Sequence, residues 1–313
     1  MSLEGLSPEV IEQLFNAVLP QKNVTPNIHR EPYPAVSPTR PELSQAGKAV
    51  LVTGGGTGVG YSIAQSFVRA AADTVIIIGR RESVIAEAAS KLEKEAKSVG
   101  TGTKIISRSL DATDLAKVDA FWNDLAAQGV NVDVYVANAA KFSDGKSILE
   151  LGFDEVWSQI ETNTKSPLYF VNKFCAQPGD KKKYIVNVST QAIHLTTHPQ
   201  IANRPAYTLS KTAGTLLFQL IAQTEPSEKL QVISYHPGII YGDEFEKMGL
   251  PAEIFDNVQL CGDFAVWAAS EEAEFLHGRF VWAGWDVDDL ANGEARKRID
   301  SDPFYLRSSV VGV

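Results

Sequence analysis

Tyr207 and Lys211 place a phenol and an ammonium group four residues apart, in the run Ala206-Tyr-Thr-Leu-Ser-Lys211. The run has helical character, so this spacing brings both side chains to one face of a helix. A cation beside a phenol favours the phenolate and lowers the pKa of the phenol, which then exchanges protons with an alcohol or a ketone near neutral pH. The same spacing also arises by chance from a half-buried tyrosine beside a solvated lysine. Its meaning therefore depends on the elements around it.

The composition of the chain excludes several classes of protein. Its 313 residues are 44% hydrophobic, which is enough to bury a substantial core. It has no apolar run long enough to cross a membrane, and its first ten residues lack the basic and apolar regions of a signal peptide. The net charge of −9 argues against a nucleic-acid surface. Cys175 and Cys261 are too far apart for a disulfide framework or a zinc site. We therefore expect a cytoplasmic protein that binds neither membrane nor nucleic acid.

Seven apolar runs alternate with longer segments of helical periodicity from Lys48 onwards. This pattern is typical of buried parallel strands joined by helices. Right-handed crossovers then predict an α/β fold, a Rossmann-like doubly wound parallel sheet of about seven strands with helices on both faces. Its ligand crevice lies at the carboxyl ends of the strands. The predicted strands cover residues 49–52, 74–78, 104–107, 132–137, 184–188, 231–234 and 279–283.

We divide the chain into an N-terminal arm (residues 1–47), a single domain (residues 48–285) and a C-terminal extension (residues 286–313). Ser7 as N-cap and Pro8 at the first helical position predict a short amphipathic helix over residues 8–19. Six prolines between positions 20 and 41 then exclude helix and central strand. We expect an arm that lies over the domain or over a partner subunit, and a disordered tail is the alternative.

A glycine-rich loop, Thr53-Gly-Gly-Gly-Thr-Gly-Val-Gly60, follows the first strand at once and opens a helix. Glycines let the backbone turn sharply and approach a pyrophosphate, whose charge the free amides at the helix start stabilise. An ordinary tight turn is the alternative. The residues that we expect to contact a dinucleotide here are Thr53, Gly54, Thr57, Gly58, Val59 and Gly60.

The second strand ends in Ile78-Gly-Arg-Arg81. A carboxylate at this position would bind the ribose hydroxyls of NAD(H), whereas guanidinium groups suit a 2′-phosphate. The sequence therefore favours NADP(H) over NAD(H), with Arg80 as the phosphate contact. Arg81 is either a second phosphate contact or the exposed start of the next helix.

Two further strand ends complete the predicted crevice. Asp111 and Ala112 follow the third strand, where the carboxylate could accept a hydrogen bond from the adenine amino group. Asn138 and Ala139 follow the fourth strand, where an amide and small residues fit under the cofactor. Either segment in isolation would be an ordinary loop.

Taken in order, these motifs resemble those of the short-chain dehydrogenase/reductase family, of its NADP-dependent type, and the arm and acidic charge resemble fungal members of specialised metabolism. The resemblance runs from about residue 48 to residue 284. Its motifs are matched by the glycine loop (TGxxxGxG), Asn138-Ala-Ala140 (NAG), Asn163, Ser189, Tyr207 with Lys211 (YxxxK) and His236-Pro-Gly238 (the PG turn).

The resemblance implies catalytic roles for four residues. Tyr207 would be the acid in ketone reduction and the base in alcohol oxidation, while a nicotinamide passes hydride. Lys211 would hold the nicotinamide ribose and lower the pKa of the phenol. Ser189 would orient the substrate oxygen, and Asn163 would anchor a water that relays protons to solvent.

Two positions depart from the family pattern. Thr57 stands where many NADP-using members have a basic residue, so phosphate recognition depends on the arginines after the second strand. Gly242 stands where members often have a threonine that binds the nicotinamide carboxamide, and backbone groups near Ile240 could replace it. With Ile240, Pro237 and Gly238 complete the expected cofactor contacts.

Two segments should form the walls of the substrate pocket. The segment of residues 190–206 is longer than is usual in the family, and we expect it to recognise substrate shape. His194 and His198 lie four apart there, but no glutamate lies between them and Pro199 breaks any helix, so we expect no metal. The other wall, residues 239–257, is either a mobile lid or an ordinary amphipathic helix with its aromatic side chains in the core.

The sequence thus predicts an NADP(H)-dependent oxidoreductase that interconverts a ketone and a secondary alcohol, a ketoreductase of a medium-sized apolar metabolite. We expect a homodimer or a homotetramer. One alternative is a non-redox enzyme of the same fold that uses Tyr207 as an acid or base for isomerisation, dehydration or cyclisation. The other is a cofactor-binding regulator without turnover.

Overall fold

A seven-stranded sheet lies at the centre of the molecule. The computed structural model describes residues 23–143, 145–196 and 204–308. The sheet has the order β3-β2-β1-β4-β5-β6-β7, and every neighbouring pair of strands is parallel. The strands are β1 (Ala49–Thr53), β2 (Thr74–Gly79), β3 (Lys104–Ser109), β4 (Val134–Ala137), β5 (Lys183–Val188), β6 (Leu230–His236) and β7 (Phe280–Trp282).

Helices cover both faces of the sheet, and the predicted doubly wound fold is confirmed. They are α1 (Gly58–Arg69), α2 (Glu82–Val99), α3 (Leu115–Ala127), α4 (Ile148–Ile160), α5 (Ser166–Cys175), α6 (Pro205–Thr224), α7 (Asp243–Lys247), α8 (Val258–Ala268), α9 (Val287–Asn292) and α10 (Glu294–Ser301). A π-helical turn (Glu161–Lys165) connects α4 to α5. Short 3₁₀ turns cover Pro34–Val36, Pro41–Leu43, Gln191–His194, Ala252–Ile254 and Glu271–Leu276.

The two faces of the sheet pack into two separate cores. Val50 and Val52 of β1 face one core, which includes Phe67 of α1. Leu51 lies between them in sequence and faces the other core, with Phe121 of α3. Successive side chains of a strand point to opposite faces, so a strand that is buried on both sides must be apolar at every position. This requirement explains the continuous apolar runs in the sequence.

The order of the strands reverses at β1, near the centre of this sheet. From β1 the chain builds β2 and β3 on one side and then crosses to β4 on the other. Loops that leave adjacent strands on opposite sides of the sheet open a crevice at their carboxyl ends. The loops after β1 and β4 therefore border the site that binds ligands in this class of fold.

The described part of the N-terminal arm, residues 23–47, begins beside the β7 end of the sheet and reaches the end of α1, where the amide of Gln45 donates to the carbonyl of Ala70 at 2.7 Å. Ile28 forms an antiparallel bridge with Trp285, and the amide of His29 donates to the carbonyl of Gly284 at 2.7 Å. The ring of His29 stacks on Tyr33 at 3.6 Å. The helix predicted over residues 8–19 lies outside the described residues, and the division of the chain into arm, domain and extension stays a prediction.

The C-terminal extension returns to the same edge of the sheet. The amide of Phe280 in β7 donates to the carbonyl of Leu306 at 2.8 Å. Trp282 and Trp285 are buried, and their rings stack at 5.6 Å. Within the described ranges, the helices are too short or too polar for any of them to cross a bilayer.

Candidate active site

A crevice of about 620 Å³ opens at the carboxyl ends of the central strands. It is bordered by the loops after β1, β2, β3, β4 and β5 and by the first turns of α6. Fifteen of the residues predicted to form the site line this crevice: Gly54, Thr57, Gly58, Val59, Gly60, Arg80, Arg81, Asp111, Ala112, Asn138, Ala139, Ser189, Tyr207, Lys211 and Pro237. Thr53, Asn163, Gly238 and Ile240 lie behind its walls.

The glycine loop forms one end of the crevice and leads directly into α1. Thr57, the N-cap residue, makes no side-chain hydrogen bond to the first turn of the helix. A Cβ atom on Gly60 would lie 2.3 Å from the carbonyl oxygen of Gly54 and 2.4 Å from Nδ2 of Asn138. Only glycine fits where the loop passes this close to α1, and the helix start remains open to an anion.

Thr53 and Asn138 hold the two sides of the crevice together from below. Oγ1 of Thr53 accepts from the amides of Asn138 at 3.0 Å and Ala139 at 3.1 Å, and donates to the carbonyl of Val136. Nδ2 of Asn138 donates in return to the carbonyl of Thr53 at 2.8 Å. These bonds fix the end of β1 against the end of β4, so Thr53 supports the crevice from behind and Asn138 both supports and lines it.

Arg80 and Arg81 border the crevice after β2, the strand next to β1. Both side chains are exposed, and neither makes an ion pair with any side chain of the described ranges. Two exposed guanidinium groups without acidic partners there form a local positive field beside the glycine loop. After β3, the strand on the far side of β2, Oδ1 of Asp111 accepts from the amide of Thr113 at 2.9 Å and from its hydroxyl at 2.8 Å.

Tyr207 lies in the first turn of α6 and faces the crevice. The ring of Phe142 meets it edge-on at 6.1 Å, and the guanidinium of Arg204 lies 5.2 Å from the centre of the Phe142 ring. Burial raises the pKa of the Tyr207 phenol to about 12, although a hydrogen bond with Thr190 and the charge of Arg204 both lower it. Desolvation is the largest effect on this phenol, and the lowering of its pKa by Lys211 stays a prediction.

Lys211 is almost fully buried one turn further along α6. Its Nζ donates to the carbonyl of Val188, at the end of β5, at 2.6 Å. Burial lowers the pKa of Lys211 to about 8. The amine therefore still carries its proton at neutral pH, but it does so in an environment that disfavours charge.

Ser189 follows β5 directly and is buried beside α6. Its Oγ lies 2.5 Å from Oγ1 of Thr215. Thr215 donates its own hydroxyl to the carbonyl of Lys211 at 2.8 Å, so Ser189 is the donor in their bond. To donate to a substrate oxygen, the hydroxyl of Ser189 has to turn away from Thr215 and towards the crevice.

Asn163 lies in the π-helical turn and connects three elements. Its Oδ1 accepts from the amide of Lys141 at 2.8 Å, and its Nδ2 donates to the carbonyl of Lys141 at 2.7 Å and to Oγ of Ser210 at 2.9 Å. A Cβ atom on Gly214 would lie 2.5 Å from the carbonyl oxygen of Asn163. Asn163 thus positions the loop after β4 against α6, and its role in proton relay stays a prediction.

The PG turn after β6 contributes Pro237 to the crevice wall. Gly238 has φ +98°, a left-handed conformation that favours glycine. The amide of Ile239 donates to Oδ2 of Asp256 at 2.6 Å, and Ile240 forms a parallel bridge with Asp256. Asp256 therefore fixes the backbone that follows Pro237.

The segment of residues 239–257 forms a small core of its own. Its members are Ile254 and Phe255, with Ile239, Tyr241, Phe245 and Leu250 packed against them. Met248 is exposed. The aromatic side chains thus pack among themselves, and the proposed lid function of this segment stays a prediction.

His194 packs in an aromatic cluster. Its ring meets Phe280 at 5.8 Å and Trp282 at 5.6 Å, both edge-on. His198 and the neighbouring residues 197–203 lie outside the described residues. Among those that are described, no cluster of histidine, cysteine and acidic side chains could hold a metal.

Several residues of the site were not singled out from the sequence, although Thr190 and Arg204 lie within the predicted pocket wall of residues 190–206. Lys141 and Phe142 line the crevice, and their position directly after the NAG-like turn could have indicated this. Thr190 contacts the phenol and follows Ser189 directly, so the same strand-end argument applies to it. Arg204 has no comparable signal, because its approach to Tyr207 depends on how α6 begins.

A sequence model of the family described as short chain dehydrogenase matches residues 48–249, which is more than half of the chain. The chain belongs to the short-chain dehydrogenase/reductase family. The matched range contains the glycine loop and each of the four predicted catalytic residues. As an oxidoreductase of this family, the protein uses a nicotinamide cofactor and a small-molecule substrate.

Curated relatives of this short-chain dehydrogenase/reductase come from fungi. It is 30% identical over 288 residues to the short chain dehydrogenase/reductase AacuD of Aspergillus aculeatus, with 92% of this chain and 96% of the relative covered. It is 30% identical over 305 residues to the short chain dehydrogenase/reductase nsrO of Aspergillus novofumigatus, with 95% and 99% covered. The similarity therefore extends over almost the whole length of both proteins.

Solved structures share the fold of the short-chain dehydrogenase/reductase chain at lower identity. L-sorbose reductase from Gluconobacter frateurii, complexed with NADPH and L-sorbose, has a TM-score of 0.65 at 19% identity, with 77% of this chain and 96% of that one covered. The Pseudomonas aeruginosa RhlG/NADP complex has a TM-score of 0.67 at 19% identity, with 78% and 97% covered. At this identity the likeness establishes the fold alone.

The lowered pKa of Lys211 predicts a pH-dependent stability. Between about pH 8 and 10.5, the folded chain has lost the Lys211 proton while the unfolded chain keeps it. Stability rises with pH where the unfolded state binds more protons, by up to about 3 kcal/mol for this shift. Urea unfolding measured from pH 7 to 10.5 checks this prediction. The free energy of unfolding of wild type should rise by this amount relative to that of Lys211→Met as the pH increases.

The control is Lys91→Met, which removes an exposed lysine whose pKa Glu87 raises. Wild type should gain no stability relative to that variant over the same pH range. A constant difference between wild type and Lys211→Met would show that Lys211 titrates normally.

Proposed function

We propose that the protein is an NADP(H)-dependent ketoreductase that interconverts a ketone and a secondary alcohol on a medium-sized apolar metabolite. One observation carries the proposal: Tyr207, Lys211 and Ser189 line the same crevice as the glycine loop and Arg80. A proton donor, a buried cation and a hydroxyl thus share one cavity with a dinucleotide cradle. Fungal relatives over the full length favour a role in specialised metabolism. Two free cysteines fit a cytoplasmic setting.

Two parts of the crevice suit NADP(H). The uncapped start of α1 and the close approach at Gly60 suit a pyrophosphate, because the amides there have no side-chain acceptor. Arg80 and Arg81 suit a 2′-phosphate, because a planar guanidinium binds phosphate oxygens in pairs. Asp111 follows β3, the strand beyond β2, and its carboxylate can accept from the adenine amino group.

When bound, NADPH supplies the hydride that reduces the carbonyl carbon. Tyr207 gives its phenolic proton to the carbonyl oxygen, which becomes the alcohol. Ser189 donates a hydrogen bond to the same oxygen and holds it near the phenol. Lys211 keeps a proton at neutral pH, and its charge stabilises the phenolate that the transfer leaves behind.

Tyr207→Phe should abolish ketone reduction, because the variant keeps the ring but has no proton to transfer. NADPH affinity should stay within about twofold of wild type. Turnover is measured as loss of NADPH absorbance across a panel of ketones, and affinity as NADPH fluorescence. Tyr169→Phe is the matched control, since it removes a phenol that bonds Asp119 outside the crevice and should turn over normally.

Three other outcomes would contradict the proposed function or favour one of its alternatives. Undiminished turnover by Tyr207→Phe would contradict the proposed proton donor. Product without loss of NADPH absorbance would favour a non-redox reaction. Tight NADPH binding without turnover of any substrate in a broad panel would favour a regulator.

Arg80→Asp should weaken NADPH binding much more than NADH binding, because a carboxylate repels the 2′-phosphate and can bind the ribose hydroxyls. We expect the affinity ratio of NADPH to NADH to fall by about a hundredfold, as expected for a lost charge-assisted contact and a new repulsion. Arg81→Asp, measured in parallel, tests whether the second guanidinium takes part. An unchanged ratio in both variants would place phosphate recognition elsewhere.

An exposed apolar surface on α4 and α6 supports a homodimer or homotetramer. The two helices pack side by side. Phe153, 76% exposed, stacks on Trp157 in α4. Leu216 and Leu220 are exposed on α6. Adjacent exposed aromatic and aliphatic side chains are typical of a face that a second copy of the chain covers.

The double variant Phe153→Asp/Leu216→Asp should therefore be a monomer when wild type is a dimer or tetramer in light scattering after size exclusion. Charged groups at the centre of an apolar interface cost several kcal/mol when they are buried without partners. Phe304→Asp is the control, because Phe304 is equally exposed but lies in the C-terminal extension. A monomeric wild type, or an assembly unchanged in the double variant, would contradict this interface.

A further inference from the structure

Asp256 connects the PG turn to the N-terminal arm. Its Oδ2 accepts from the amide of Ile239 at 2.6 Å, and its own amide donates to the carbonyl of Ile239 at 3.0 Å. A Cβ atom on Gly238 would lie 2.7 Å from Oδ2 of Asp256. The carboxylate therefore lies directly on the turn that follows Pro237 in the crevice wall, and only glycine allows this contact.

The other carboxylate oxygen of Asp256 faces the arm. Nε of Arg30 donates to Oδ1 of Asp256 at 3.3 Å, and the same guanidinium donates to the carbonyl of Ile254. The carbonyl of Arg30 accepts from the amide of Asn257 at 2.8 Å. Glu31, the next residue, accepts from Nδ2 of Asn257 at 2.6 Å. Two consecutive arm residues thus bind the last residues of the 239–257 segment through side chain and backbone.

This connection is partly buried, so removing one partner costs more than it does at a surface ion pair. Side-chain exposure is 15% for Asp256 and 32% for Arg30. Burial raises the pKa of Asp256, and the amide of Ile239 and the charge of Arg30 oppose that rise while Glu31 adds to it. Without Arg30, the carboxylate of Asp256 would lose the cation that faces it from the arm, and its hold on the turn would weaken.

We infer that Arg30 is a positioning residue for the cofactor-binding turn at Pro237–Ile239, acting through Asp256. The arm, which lies outside the matched family range, then sets the position of one wall of the crevice. The part of the inference that concerns NADPH rests on the proposed function. The part that concerns the turn itself does not.

The first test follows the turn in the free protein by amide hydrogen exchange. Arg30→Gln and Asp256→Asn should each speed exchange in the peptide that contains Ile239, because the acceptor of that amide is held less firmly. Arg40→Gln is the matched control. Arg40 also anchors the arm, through Glu272 at 2.8 Å, but it does not touch the turn. It should leave exchange at Ile239 unchanged.

The second test measures NADPH affinity by fluorescence titration. We expect the dissociation constant to rise about tenfold in Arg30→Gln, as expected for a displaced cofactor wall, and not to change in Arg40→Gln. Arg30→Lys should recover part of the affinity, since it restores the positive charge but not the paired N–H donors of the guanidinium group. If the pair acts as a unit, Arg30→Gln/Asp256→Asn should cost no more than either single change.

The outcomes separate this inference from the proposed function. Equal exchange at Ile239 in Arg30→Gln and Arg40→Gln would overturn the inference, whatever the cofactor. Faster exchange with unchanged NADPH affinity would also overturn it, because the turn would then move without consequence for the site. A wild type that binds no NADPH would refute the proposed function, and the exchange data would still decide whether Arg30 positions the turn.

Discussion

The site depends on the contact between the ends of β1 and β4. Thr53 and Asn138 exchange hydrogen bonds across it, and Gly60 brings α1 so close that no side chain fits between. Because these bonds satisfy the backbone where two strands end, the loops beyond them can part and leave an open crevice. Every other part of the site is placed relative to this junction: the arginines after β2 on one side, and Ser189 after β5 on the other.

Most of the fold was predictable because its signals are local. A strand that is buried on both faces has to be apolar throughout, as in β1 and β2. A glycine loop before a helix can be recognised within a span of eight residues. The crevice was predictable for the same reason, since the carboxyl ends of parallel strands meet at one edge. Lys141 and Thr190 each follow a strand-end motif directly, so the same rule predicts that they lie at the crevice.

What the sequence could not indicate depends on contacts between distant residues. Arg30 meets Asp256 across 226 positions, and neither residue belongs to a motif or a periodic pattern. Helical spacing places Lys211 on the same face as Tyr207 but says nothing about burial, which is the largest effect on the pKa of this phenol. The aromatic side chains of residues 239–257 likewise fit a lid or a core on sequence grounds, and only packing shows them clustered together.

The electrostatics of the site bear on the direction of the proposed reaction. Burial raises the pKa of Tyr207 to about 12 and lowers that of Lys211 to about 8. Both shifts have one cause, a site with little water, which favours the neutral form of each group. A tyrosine that holds its proton is the form that ketone reduction requires, whereas alcohol oxidation requires a phenolate. Burial thus favours the protonated phenol that the reduction step of the proposed reaction uses, and the hydrogen bond with Thr190 and the charge of Arg204 oppose that shift.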